Sequence, residues 1–414
     1  MQSYDVIIIG AGPAGIATAR ALSKVSPGLA ARTLLLDQRP NMLPPDSGGA
    51  STLITGASAR ALEALELDVR VPEVALSEVS FSVGERARAV ALRKPWALVD
   101  RQALDARMFH QVSCALETRL GEQVKAIDHQ GDWVRVETQQ RACRAQVVIG
   151  ADGARGALRG LLGWPAQAVA HEDDSCGWVA FADIEAQSGL PDASLRYDLS
   201  MAAQGQGSLV WYAAGDRDAT DATDASPRVC AGQLLHSDYA CAALGGDAER
   251  DGAAHLRAWL QAKGWQGAAR VSAYQRPYRY SAVLPIGGSR VLLVGDAAGV
   301  VPLLDDGLCQ CLEYGCFAAY ALSDAFERKD FNFQRHGAAL RSSALGRELS
   351  ATQRMCARLF GPDRSLWLDR LLHPRSHLAP MLIAQASGDT TLDAQRYRLA
   401  WTQLSVKLRG GRWL

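Results

Sequence analysis

The chain has 414 residues, 48% apolar and 21% charged, with 44 basic residues balancing 44 acidic ones. That length exceeds what one hydrophobic core usually serves, so two domains or one domain with insertions are expected. The neutral balance and the lack of like-charge runs leave no footprint for nucleic acid or an anionic membrane surface, and no apolar run reaches the roughly eighteen residues of a spanning helix.

In chain order, "DVIIIG" reads as a buried parallel strand over residues 4–9, with no basic leader ahead of it. Residues 13–25 read as an Ala-rich helix, and "RTLLLD" as a second buried strand ending at Asp37, which completes a βαβ unit. The stretch 40–56 is rich in Pro, Gly, Asp and Ser and is expected to be an irregular, mobile loop. "SARALEALEL" reads as a short helix, and "VSFSVG" and "AVALRK" as strands. "DRQALDARMFHQVSCALETRL" reads as one amphipathic helix with Leu104, Met108, Val112 and Leu116 on a stripe. "DWVRVET" and "AQVVIGADG" are strands, the second ending in a Gly/Asp turn.

Between about 165 and 285 the helical signal gives way to alternating strands, with one helix at "ERDGAAHLRAWLQAKG". Trp178, Trp211, Tyr212, Tyr274, Tyr278 and Tyr280 concentrate there; most read as core, and some suit a pocket for an aromatic or apolar ligand. His171 at its start reads as structural or solvated. "VLLVGDAAGVVPLLDDGL" is a third strand that breaks into Gly-Asp, and helices follow to the end. The nine cysteines are scattered and odd in number, which suits reduced thiols and a cytoplasmic location. Cys309, Cys311 and Cys316 have no matching second pair, so they read as small packing residues and no metal site is expected.

Chemistry enters at the three strand-end turns. Gly10, Gly12 and Gly15 spell G-x-G-x-x-G between a strand and a helix, and Asp37 follows 22 residues beyond Gly15. The first glycine permits the tight turn, the second a close diphosphate, the third close helix packing, while the acid suits an adenosine ribose. Asp152 and Gly153 follow the second strand, and Gly295 and Asp296 the third. Aspartates there can accept hydrogen bonds from a polyol chain, which FAD has in its ribityl and NAD lacks.

The ordered set G-x-G-x-x-G, "GADG" and "VGDAAG…P…G" resembles the superfamily of FAD-containing aromatic hydroxylases and geranylgeranyl reductases. The resemblance covers roughly residues 1–165 and 285–330. It implies an α/β fold: a glutathione-reductase-like (Rossmann) FAD-binding domain, an inserted β-rich substrate domain, and a helical C-terminal segment. The corresponding boundaries are 1–70, 96–165 and 285–330 for FAD, 71–95 and 166–284 for the substrate sheet, and 331–414 for the helical region. By that likeness Gly10, Gly12, Ala14, Gly15, Asp37 and Gln38 hold the ADP half, Arg39 and Arg101 line the site, and Val124 meets the adenine. Asp152 and Gly153 touch FAD and, in hydroxylases, NAD(P)H; Gly295 and Asp296 serve the ribityl and pyrophosphate; Pro302, Gly307 and Leu308 lie beside the isoalloxazine.

The chain departs from the hydroxylase pattern at Gly299, where that pattern has His, at Asp305, where it has Gly, and at Gly156, where Ser is common. The halogenase segment W-x-W-x-I-P is absent, as is the G-E-G of the reductase branch. Asp305 and Asp306 stand at a helix mouth, where a carboxylate either caps the helix or, for Asp305, contacts substrate or accepts a proton. The resemblance implies a monooxygenase that hydroxylates an aromatic or natural-product-like substrate, free or borne on a protein or carrier, through a flavin C4a-hydroperoxide. NAD(P)H binding transiently, or reduced flavin from a separate reductase, supplies electrons, with O2 as co-substrate. The alternative is a reductase or dehydrogenase acting on C–C bonds.

Overall fold

Val6 to Ile9 are all buried, as expected of a strand covered on both faces. In the computed structural model they lie in the strand Gln2–Ile9, at the heart of a sheet. The structure describes residues 1–42, 51–71, 73–153, 156–164, 177–185, 194–205, 208–215, 228–236, 248–263, 270–276, 284–301, 303–304 and 307–400. The central strand pairs in parallel with Thr33–Asp37 on one side and Ala142–Gly150 on the other. Val291–Leu293 adds in parallel beyond Ala142–Gly150, and Glu117–Leu120 beyond Thr33–Asp37. Val124–Gln130 and Trp133–Thr138 form an antiparallel meander that folds back onto Ala142–Gly150.

The helix Pro13–Val25 follows the first strand and packs on the long helix Gly307–Arg328. Their backbones approach so closely that a Cβ on Gly315 would overlap Ala17. Within "CQCLEYGC", Cys311 is buried beside Gly295 and Gly315 sits against the first helix, while Cys309 and Cys316 are half-buried.

A second sheet runs in the order Arg270–Arg276, Gly177–Glu185, Arg228–His236, Ser208–Gly215, Ser194–Asp198, Glu73–Val83, Arg86–Asp100, Ser51–Ile54. Ser194–Asp198 and Glu73–Val83 pair in parallel, and the other neighbours are antiparallel. The helices His336–Ser342, Ala344–Phe360, Arg364–Leu372 and Leu378–Ala386 follow the long helix. Arg88 of the second sheet donates to the carbonyls of His373 and Ser376, at 2.6 and 2.7 Å, and so locks them to that sheet.

Two local expectations are corrected. The helix expected to reach Leu120 stops at Ser113, and Glu117–Leu120 is a strand. Leu104, Met108 and Val112 are buried as the helical stripe requires. The free edge of Thr33–Asp37 then captures the next four residues, so tertiary pairing overrides local periodicity. Within the stretch expected to be irregular, Ser51–Ile54 forms an edge strand against Ala97–Asp100, because its β-branched and apolar residues bury Leu53 and Ile54. Residues 43–50 of that stretch lie outside the described residues, as do His171, Tyr278 and Tyr280.

Candidate cofactor cleft

Parallel register aligns the three turns. Ile9 pairs with Gly150 and Gly150 with Leu293, so the chain leaves three neighbouring strands at one level. Each turn is tied to the next strand: Ala151 N–H donates to Ile9 at 2.8 Å, Val294 N–H to Gly150 at 2.9 Å, and Gly10 N–H to Leu36 at 2.7 Å. Gly10 has φ +107°, and a Cβ there would overlap the Ala151 carbonyl. Gly15 is equally constrained, its absent Cβ leaving room for the Gly10 carbonyl. Arg159, 3% exposed, donates to the Pro285 and Ala297 carbonyls at 3.1 and 3.2 Å, which binds the second turn to the third.

A cleft of about 310 Å³ opens over these turns. Its wall includes residues from all three: Gly10 and Gly12, Asp152 and Gly153, and Asp296. A Cβ built on Gly12 or Gly153 meets no atom within 4 Å, so the main chain lies bare where a ligand would approach. The first helix begins at Pro13, whose missing N–H costs nothing there, and the next amides point towards the cleft end of the helix.

At the opposite wall Asp37 is 7% exposed and heavily bonded. It accepts from Ala11 N–H at 2.6 Å, Arg39 N–H at 2.8 Å and Arg39 Nε at 2.9 Å. Burial alone would raise its pKa, but Arg39 outweighs burial and holds the carboxyl below its ordinary range. Arg39 also pairs with Asp105 at 3.5 Å, which Arg101 bonds at 2.9 Å. This chain of charges fixes both arginines on the rim.

Asp152 behaves in the opposite way. Burial dominates and pushes its carboxyl up to about 6, against the opposing effects of the Leu158 N–H at 2.9 Å and nearby Arg159. Its carboxylate occupies the space that a Cβ at residue 156 would claim. Gly156 in place of the common serine is what lets this side chain fold back onto the helix start. Gly295, with φ +62°, presses against Ala14, whose Cβ lies 2.6 Å from a Cβ built on the glycine.

Beyond Asp296 the chain turns apolar. Val300, Val301, Leu303 and Leu304 are buried, and side chains from distant elements pin them. Gln310 bonds both sides of the Val301 peptide, at 2.8 and 2.9 Å. Tyr314 donates to the Gly299 carbonyl and Tyr197, from the second sheet, to the Leu304 carbonyl, both at 2.8 Å. Val300, Val301, Leu303 and Leu304 are thus a buried apolar stretch ahead of the helix Gly307–Arg328.

Of the sequence-assigned residues, Gly10, Gly12, Asp37, Gln38, Arg39, Arg101, Val124, Asp152, Gly153 and Asp296 line the cleft together. Ala14, Gly15 and Gly295 lie buried beneath it as packing, and Gly307 and Leu308 are buried at the start of the long helix. Pro302, Asp305 and Asp306 fall outside the described residues. The sequence reading missed Glu122, a lining residue 3% exposed that bonds Arg141 and Thr138 at 3.0 Å and so shapes the turn carrying Val124. It also missed Asp105, Gln310, Tyr314 and Tyr197. A buried-face position on a predicted helix carrying an acid, as at Asp105, was the available signal.

Residues 3–194 match the family described as FAD binding domain. That stretch holds the first two of the three motifs, G-x-G-x-x-G and "GADG". No curated protein matches the chain in sequence. In fold it is similar to a geranylgeranyl bacteriochlorophyll reductase-like protein from Thermoplasma acidophilum, at 15% identity and TM-score 0.70, covering 96% of this chain and 99% of that one. A flavoprotein/dehydrogenase from Cytophaga hutchinsonii gives 13% identity and TM-score 0.68, with 94% and 93% covered. Halogenase PltM, solved with phloroglucinol and FAD, gives 18% identity and TM-score 0.63, with 93% and 83% covered. Residues 3–194 are thus similar to an FAD binding domain, and the chain has a mixed α/β fold shared by several flavin chemistries. Among the described residues no group of side chains could hold a metal ion, and no helix is long and apolar enough to cross a membrane.

Proposed function

We propose that the chain is an FAD-dependent monooxygenase that hydroxylates an aromatic or natural-product-like substrate, drawing electrons from NAD(P)H or from flavin reduced by a separate enzyme. The observation that carries the FAD reading is the single cleft walled by all three aligned turns, with bare backbone at Gly12 and Gly153. In this reading Gly12 and the helix start receive the diphosphate, Arg39 and Arg101 face the adenosine side, and Asp152 and Asp296 bond the ribityl hydroxyls. Bound FAD supplies two-electron storage and, once reduced, reactivity towards O2.

The pinned segment Gly299–Leu304 supports oxygenation, because that chemistry needs a wall that excludes water. Tyr197 joins this wall to the second sheet, so the sheet roofs the flavin end of the site. Asp305 is assigned as a proton acceptor or substrate contact on its sequence position. The second reading, a reductase acting on C–C bonds, draws on the near-complete mutual coverage with the geranylgeranyl bacteriochlorophyll reductase-like fold.

Mixing the reduced protein with oxygenated buffer separates the two. Oxygenation predicts a transient absorbance distinct from both reduced and oxidised flavin, together with O2-dependent oxidation of NAD(P)H. Slow, featureless reoxidation would favour the reductase.

A further inference from the structure

Glu122 is 3% exposed, yet it lines the cofactor cleft together with Gln123 and Val124. These residues follow the strand Glu117–Leu120, which runs parallel to Thr33–Asp37 with Leu120 beside Asp37. Gly121, at φ +73°, makes the bend, and the main chain stays bonded beyond it. Gly121 N–H donates to the Arg39 carbonyl at 2.7 Å and Glu122 N–H to the Asp37 carbonyl at 3.0 Å. A fourth chain reversal thus joins the other three at the strand ends, and it is built directly onto Asp37 and Arg39.

The Glu122 side chain ties the same residues in the other direction. One of its oxygens accepts from the Thr138 hydroxyl and the other pairs with Arg141 Nε, both at 3.0 Å. Thr138 is the partner of Val124 in the strand register, and that register shifts between Val124 and Ala126. A bulge interrupts the ladder, so strand pairing alone does not set how the Val124 main chain faces. The bond from Thr138 to Glu122 spans that interruption. Stability gives little reason for it: Arg141 is 46% exposed, which leaves the ion pair weak, and a buried ion pair can often be exchanged for apolar residues without loss. What a buried carboxylate with two fixed partners does supply is a single orientation of the turn that carries it.

We propose that Glu122 is a positioning residue for the adenosine end of the cleft. Held between Thr138 and Arg141, it fixes the main chain of residues 122–124 against Asp37 and Arg39, so the adenosine diphosphate half of FAD docks on a wall formed in advance. That half binds with or without a flavin attached, and ADP competes with FAD for the flavin-free cleft. The inference rests on the FAD reading above, but not on which redox reaction follows.

The test is titration of flavin-free protein with FAD, alone and against ADP, followed by quenching of flavin fluorescence. In wild type, ADP is expected to displace FAD. Glu122→Leu and Thr138→Val are each expected to weaken FAD about tenfold, and ADP by the same factor. Once saturated with FAD and reduced, both variants are expected to reoxidise at the wild-type rate, which a general loosening of the fold would alter. Should Glu122→Leu fail to fold, Thr138→Val decides, since it removes the hydroxyl and keeps the shape. Wild-type FAD affinity in Thr138→Val or in folded Glu122→Leu, loss of FAD without a matching loss of ADP, a changed reoxidation rate at saturation, or failure of ADP to compete where FAD binds would overturn the proposal. Wild-type protein that takes up no FAD would overturn the FAD reading and this inference with it.

Discussion

The cleft over the strand ends and the segment Gly299–Leu304 are joined through Gly295–Ala297, yet they are built by opposite means. The cleft is made of backbone and charge: bare glycines, a helix start, and the linked pairs of Asp37, Arg39, Asp105 and Arg101. The segment is made of apolar side chains and neutral hydrogen bonds from Gln310, Tyr314 and Tyr197. The first surface suits a charged, flexible half of a ligand, and the second suits a place where reactive atoms must be kept from water. Damage to the cleft should therefore appear in cofactor affinity, and damage to the segment in what the bound cofactor does.

The largest effect is expected at Gly15. Gly15→Val would drive a side chain into the Gly10 carbonyl, costing more than about 4 kcal/mol and yielding protein without flavin. Urea unfolding and the absorbance of the purified protein measure both, and a yellow, stable variant would break the packing argument.

Arg159→Met comes next, with an expected loss of about 3 kcal/mol, because the buried Ala297 carbonyl and the half-buried Pro285 carbonyl lose charge-assisted donors. The midpoint of urea unfolding reports it. An unchanged midpoint would mean that the second and third turns are held together by packing alone.

Asp152→Asn sharpens the electrostatic side. The wild-type carboxyl has a folded value raised from 3.8 to about 6, so its contribution to stability is complete below 3.8 and is lost as pH rises through about 6. The flavin-free variant should therefore equal wild type near pH 3.5 and exceed it by on the order of 2 kcal/mol at pH 7. Parallel unfolding curves from pH 3.5 to 8 are the check, and a constant difference would show that burial does not govern this group.

The smallest effect on stability, about 1–2 kcal/mol, is expected for Gln310→Leu, which strips both bonds from the buried Val301 peptide. FAD affinity should stay within a few-fold of wild type, while the rate at which reduced protein reoxidises in oxygenated buffer should change. Loss of FAD with an unaltered reoxidation rate would erase the distinction between the two regions.

The same contrast explains what the sequence disclosed. Gly10, Gly12 and Asp37 act through local backbone geometry at fixed spacings, so their arrangement is written in a short window. The core strands were equally plain, since Val6–Ile9 and Leu34–Leu36 are buried on both faces and carry no polar side chain. Gln310 and Tyr314 looked like ordinary helix residues, and only packing of the long helix against the first one aims them at Val301 and Gly299. Tyr197 lies in another sheet altogether. Glu117–Leu120 was read as helix because an edge strand is declared by its neighbour, not by its own four residues.

The central claim is that three distant chain reversals grip one FAD. Titrating flavin-free protein with FAD, followed by quenching of flavin fluorescence, tests it most directly. The account predicts saturation at one FAD per chain, with Gly12→Asp abolishing uptake in a protein that still folds. Protein that stays colourless and leaves the fluorescence of added FAD unchanged would contradict it.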